Sequence, residues 1–253
     1  MSDIWTVLLL ATLPGAGNFA GGMLAEFTRP SARALNRALH AAAGIVIAIV
    51  SVELMPRTVG HLGGGWIAAA FMAGGVAYLL LESLTERLQG GDEGAGRARM
   101  WMIYIAVAAD LTSDGLMIGA GAAVSSKLAF VLAAGQVLAD LPEGYAAVAN
   151  LRDKGVPRTK RVLLAASFLG YVVVSALLAH FALRGAPERV KLGSLVFVAG
   201  LLTVAAVEDM LQEAHDARED SRWSVLAFVG GFALFTLVSS GLEAMLRGSL
   251  PAT

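Results

Sequence analysis

Four acidic side chains lie in the middle of apolar segments, in two pairs whose spacing points to chemistry. Asp110 and Asp114 sit in IAVAADLTSDGLMIGAGAAV, and Asp140 and Glu143 sit in VLAAGQVLADLPEGYAAVA. A carboxylate at the centre of a bilayer costs roughly 2.5–3.5 kcal/mol on insertion scales, so four cost on the order of 10 kcal/mol unless something compensates. Compensation comes from a cation, a proton or a base, and no Lys or Arg falls near the centre of either segment. Members of each pair are four or three residues apart and share one helix face. Like charges so placed repel strongly where the dielectric is low, so the pairs hold a divalent cation between them or hold protons. Gln136, one turn before Asp140, extends the polar stripe.

These residues need elements to carry them, and the composition names the solvent. Hydrophobic residues make up 57% of 253 positions and charged ones 15%, with a mean hydropathy of +0.68; ordinary soluble domains are far more polar. Eight apolar runs, at roughly 4–25, 38–58, 64–84, 100–124, 127–149, 162–183, 190–212 and 223–246, approach the ~20 residues that span a bilayer core as a helix. The expected fold is therefore an all-α membrane protein with eight transmembrane helices in a single domain, 1–253. Its fourth and fifth helices run antiparallel, and the echo between Asp-Leu-Thr-Ser-Asp-Gly (110–115) and Asp-Leu-Pro-Glu-Gly (140–144) brings two similar half-sites together near the midplane. Of the 19 Lys and Arg residues, 13 fall on the side of the loops after the odd-numbered spans. The positive-inside rule puts that side in the cytoplasm and both termini outside.

Other features bound the function. With no cysteine, thiolate sites and disulfides are excluded. A net charge of −1 and no basic stripe with interleaved aromatics exclude nucleic acid as a partner. No HExxH motif or Ser/His dyad within a span pair is present, so an enzyme is not expected. The first segment carries Pro14 and Asn18 and lacks a basic start, which reads as a retained span. Its LPGAGNFAGGML run favours tight helix packing over a broken helix. Ser31 is placed to cap a short helix leading into the second span. Trp5, Trp66, Trp101 and Trp223 fall near span ends, as interface anchors do. Gly- and Ala-rich outer faces allow a homodimer. The Ala, Gly and Arg content is that of a GC-rich bacterial genome, hence an inner (plasma) membrane protein.

At its acidic motifs the chain resembles the ZIP (ZRT/IRT-like) family of divalent metal transporters. Ala139-Asp140-Leu141-Pro142-Glu143-Gly144 matches the family's fifth-span x-Asp/His-x-Pro-Glu-Gly pattern. The fourth-span His-Asn-x-Pro-Glu-Gly pattern is altered: Asp110 stands for His, Leu111 for Asn, Ser113 for Pro and Asp114 for Glu. VEDMLQEAH (207–215) is similar to the seventh-span end, with Glu208, Glu213 and His215 retained and Val207 at the first His; SVELMPR (51–57) is similar to the second-span end. Tyr171 stands where the family's sixth span often offers a Glu to a second metal.

The resemblance implies a ZIP-like bundle that transports divalent cations of the Zn, Fe and Mn class as substrate. Its metal site lies between the fourth and fifth helices, with Asp110, Asp114, Asp140 and Glu143 as ligands. Glu53, Gln136, Glu208, Glu213 and His215 are expected along the pathway. An oxygen-only set biases the site toward hard cations such as Mn²⁺ or Mg²⁺, whereas imidazole suits Zn²⁺ and Fe²⁺. The same carboxylates would also serve a proton- or cation-coupled carrier of another solute, or a metal-binding membrane protein that does not transport.

Overall fold

A computed structural model describes residues 4–28, 31–88, 95–212 and 222–248. Within them the chain is helical: α1 (Ile4–Phe27), α2 (Ala32–Ala48), α3 (Gly64–Leu88), α4 (Ala95–Val124), α5 (Ser126–Asp153), α6 (Arg158–Leu183), α7 (Glu188–Ala205) and α8 (Arg222–Gly248). α2 and α7 each continue through one wider π-helical turn, Ile49–Leu54 and Ala206–Leu211. Ser31 does cap a helix, its Oγ accepting from the Ala34 N–H at 3.3 Å. That helix is α2 itself, because nothing between 32 and 48 breaks it. The described residues contain no strand beyond one isolated bridge, Val59 with Leu62. Seven of the described helices are long and apolar enough to cross a membrane. α5 has the length, at 28 residues, but Gln136, Asp140, Pro142 and Glu143 lower its hydropathy. The described residues are those of a helical, multi-pass membrane protein.

Close approach of backbones organises the packing. A Cβ on Gly21 of α1 would overlap the Leu141 carbonyl oxygen of α5, and one on Gly144 would overlap the Asn18 carbonyl oxygen. Each oxygen belongs to the residue three before the partner's glycine. The same reciprocal arrangement pairs Gly44 of α2 with Gly231 of α8, against the Phe228 and Ala41 carbonyls. It pairs Gly74 of α3 with Gly200 of α7, against the Phe197 and Phe71 carbonyls. α4 meets α6 more one-sidedly, with Gly115 and Gly119 on the Val172 and Ala176 carbonyls. In lipid, where apolar side chains gain little by meeting one another, such contacts and their Cα–H···O bonds hold helices together. Contacts advance in step along both chains, as in Gly17 with Val137 and then Gly21 with Leu141, so the paired helices run parallel.

α4 and α5 differ. Ser125 alone separates them, its Oγ capping α5 by accepting from the Leu128 N–H at 3.1 Å. The resulting hairpin is antiparallel, with Gly121 against Leu132 at its closed end. α1, α4, α5 and α6 pack on one another, α2 with α8 and α3 with α7 form the other side, and the two groups meet where α2 touches α5 and α4 touches α7. Burial follows: 67% of the α4 span is inside against 11% for α3 and 17% for α8. The acidic hairpin is thus central, while α3 and α8 face outward.

Gly231→Ala is expected to force α2 and α8 apart and destabilise the fold by about 1–3 kcal/mol, the usual range for overpacking. Gly170→Ala, whose added Cβ meets nothing within 4 Å, is the control. Melting curves in detergent check this, and equal behaviour of the two variants refutes the glycine contacts as the organising device.

Candidate metal centre

The hairpin register brings the two acidic pairs face to face. α4 presents Asp110 and Asp114 one turn apart, and α5 presents Gln136, Asp140 and Glu143. Asp114, Gln136 and Asp140 are 0% exposed, Asp110 3% and Glu143 8%. One oxygen from each of Asp110, Asp114 and Asp140 lies within 4.8 Å of the others. Metal–oxygen bonds of about 2.0–2.6 Å put ligand oxygens up to about 4–5 Å apart across an ion, so this spacing suits a common guest. Glu143 stands against Asp110 at the edge of the triad. Gln136 donates from Nε2 to Asp114 Oδ1.

What these groups lack is as telling as what they touch. Asp110 Oδ2, Asp114 Oδ2, both Asp140 oxygens, Glu143 Oε2 and Gln136 Oε1 are buried without a hydrogen-bond partner. No Lys or Arg of the described residues pairs with any of the four acids. A buried unpaired carboxylate costs several kcal/mol, and here the same deficit recurs on neighbouring oxygens. The donor set is all oxygen.

Acids elsewhere in the helices do have bases. Glu53, 3% exposed, accepts from Arg57 at 2.9 Å and from the Ser239 hydroxyl, tying the end of α2 to α8. In this conformation its oxygens are taken. Glu26 receives a two-pronged Arg161 contact at 2.6 and 2.7 Å, with Arg158 at 3.5 Å. Arg152 donates to the Ala25 and Thr28 carbonyls, capping the end of α1. Neither Glu53 nor Glu208 joins the triad; Glu208 is exposed on the second π-turn. Glu213 and His215 lie outside the described residues. Tyr171 faces outward on α6, where its hydroxyl accepts from Tyr104 at 3.3 Å.

Asn18 was overlooked as a candidate by the reading of the sequence. It is 1% exposed, and neither side-chain polar atom has a partner. An amide amid an apolar run was the available signal.

No family model matches the chain. The chain is 36% identical over 104 residues to "Zinc transporter ZupT" of Akkermansia muciniphila, a match that covers 38% of this chain and 37% of that protein.

Because the acids lack a counter-charge, Asp114→Asn and Asp140→Asn are each expected to stabilise the metal-free protein in chelator by about 1–3 kcal/mol, the scale of an unpaired buried group. Added divalent metal should raise the melting temperature of the parent and not of the variants. A lower melting temperature for both variants in chelator counts against uncompensated charge.

Proposed function

We propose that this protein carries divalent metal cations across a plasma membrane, with Asp110, Asp114, Asp140 and Glu143 replacing the hydration shell of the ion. The observation that carries this reading is the triad of buried carboxylates, within 4.8 Å of one another and without a base. The partial likeness to a zinc transporter supports it, as do the acidic motifs. α5 is then the eighth span, its polar residues accommodated because they line the site instead of meeting lipid. The 13 to 6 division of Lys and Arg supports extracytoplasmic termini.

The chemistry of transport follows from charge. Four carboxylates around one dication leave two negative charges in excess, so protons accompany the empty site and leave as metal enters. Acid therefore competes with metal, and uptake falls as the pH drops. The oxygen-only set favours Mn²⁺ among the Zn, Fe and Mn class without excluding zinc, which accepts carboxylates. Sliding of the α1/α4/α5/α6 group against the α2/α3/α7/α8 group would open the site to each side in turn.

Purified protein in liposomes loaded with a metal-sensitive dye tests this. Flux of Mn²⁺, Fe²⁺, Zn²⁺ or Cd²⁺ should vanish in Asp140→Ala and Glu143→Ala and weaken at acid pH. Metal-independent proton flux would instead indicate a carrier of another solute. Absence of flux with metal-dependent thermal stabilisation retained would indicate a binding protein. Asp110→His combined with Leu111→Asn should shift preference toward zinc, and unaltered selectivity would sink the ligand assignment.

A further inference from the structure

We infer that Asn18, on α1, is a further member of this metal site: its carboxamide oxygen supplies a neutral ligand to the dication beside Asp140. This rests on the proposed function above. The starting observation is an anomaly. A carboxamide with one acceptor and two donors is 1% exposed in the middle of an apolar helix and makes no hydrogen bond. Polar residues elsewhere in these helices satisfy themselves on their own backbone: Thr112 donates to the Ala108 carbonyl, Ser113 to Ala109 and Ser175 to Tyr171. Asn18 does none of this.

The packing keeps it where it is. Gly144 lies directly on the Asn18 backbone, so α1 cannot turn Asn18 away without breaking the reciprocal Gly21 and Gly144 contact. In the parallel register Gly17 sits on Val137 and Gly21 on Leu141, which puts Asn18 between them, at the depth of Asp140. Gly15 and Gly22, flanking it on the helix, face Leu169 of α6 and the seam between Val148 of α5 and Ala165 of α6. Asn18 therefore lies on the part of α1 turned into the space shared by α1, α4, α5 and α6. Both oxygens of Asp140 are also unpartnered there. Two sets of orphaned polar atoms at one depth, on helices in backbone contact, define a place for a shared guest.

The chemistry favours an amide at this position. The carboxylate set already exceeds the charge of one dication, so a further ligand is best neutral. Asn carbonyl oxygens are ordinary ligands of hard cations. An added oxygen helps six-coordinate ions such as Mn²⁺ and Mg²⁺, and adds little to zinc, whose four positions the carboxylates can fill.

The test measures Mn²⁺ and Zn²⁺ dissociation constants and dye-reported flux for the full chain, alongside Asn18→Ala, Asn18→Asp and Asp140→Ala. Asn18→Ala is expected to weaken Mn²⁺ binding about tenfold or more, the lower end of losses on removing a group that supports a metal site, and Zn²⁺ binding less than about twofold. Asn18→Asp, which keeps the volume, should recover Mn²⁺ binding with a steeper dependence on pH, and it carries the test if the alanine variant fails to fold. Wild-type constants and pH dependence in Asn18→Asp, with binding lost in Asp140→Ala, overturn the inference alone. An equal loss of both metals in Asn18→Ala overturns the preference for six-coordinate ions. Binding that survives Asp140→Ala overturns the proposed function itself.

Discussion

Negative charge without a counter-charge, held in the interior of a lipid-embedded bundle, is the constraint to which the rest of this structure answers. Left alone, the acids on α4 and α5 would repel, and the hairpin would relieve them by splaying open. It does not, because the helices bearing them are pinned from behind. Gly115 and Gly119 seat α4 on α6, while Gly144 and Gly21 seat α5 on α1. Ser125 leaves the hairpin no slack at its closed end. Backbone contacts thus maintain an arrangement that the side chains, by themselves, would abandon. Residual strain of this kind, concentrated at one place and relieved by a guest, is what a binding site looks like before it is filled.

The contrast among buried acids sharpens the point. Glu53 is as enclosed as the four hairpin acids and Glu26 is half-buried with its side chain covered, yet each has an arginine within hydrogen-bonding distance. Those two join helices, α1 to α6 and the end of α2 to α8, and their roles end in the fold. Burial alone therefore does not separate a functional carboxylate from a structural one. What separates them is whether the fold supplies the opposite charge. Glu53 had been expected on the metal's route, and its engagement with Arg57 and Ser239 means that a passing cation would have to displace an existing partner.

Much of the fold could be read from hydropathy, because long apolar runs in lipid leave the backbone no choice but a helix. The pairing within the acidic hairpin was also accessible, since adjacent spans linked by a short turn must be antiparallel and the two motifs sit at similar depth. The parallel pairs were not. Gly21 and Gly144 are separated by more than a hundred residues, and nothing local to either names the other. The ion pairs were hidden for a related reason: Arg57 and Arg161 stand at or just outside span ends, and only packing shows that they reach Glu53 and Glu26. Asn18 was visible but mute. One amide in an apolar run says only that something polar is needed there, and its relation to Asp140 depends on a helix contact no pattern announces.

α5 joins these strands. By composition it is the poorest membrane helix in the protein, the long one missing from the seven that hydropathy alone would accept. By position it is among the most enclosed, touching α1, α2, α4 and α6. The two facts require each other. A helix with Gln136, Asp140, Pro142 and Glu143 cannot face lipid at those residues, so its neighbours must cover it, and glycines on α1 let them come close enough to do so. Yet close cover by helices is not the same as chemical satisfaction: α1, α4 and α5 exclude water from the acids without offering them a base. Shielding that stops short of neutralisation leaves the electrostatic deficit for a mobile species to fill, and a proton or a dication are the two that fit among oxygens so closely set.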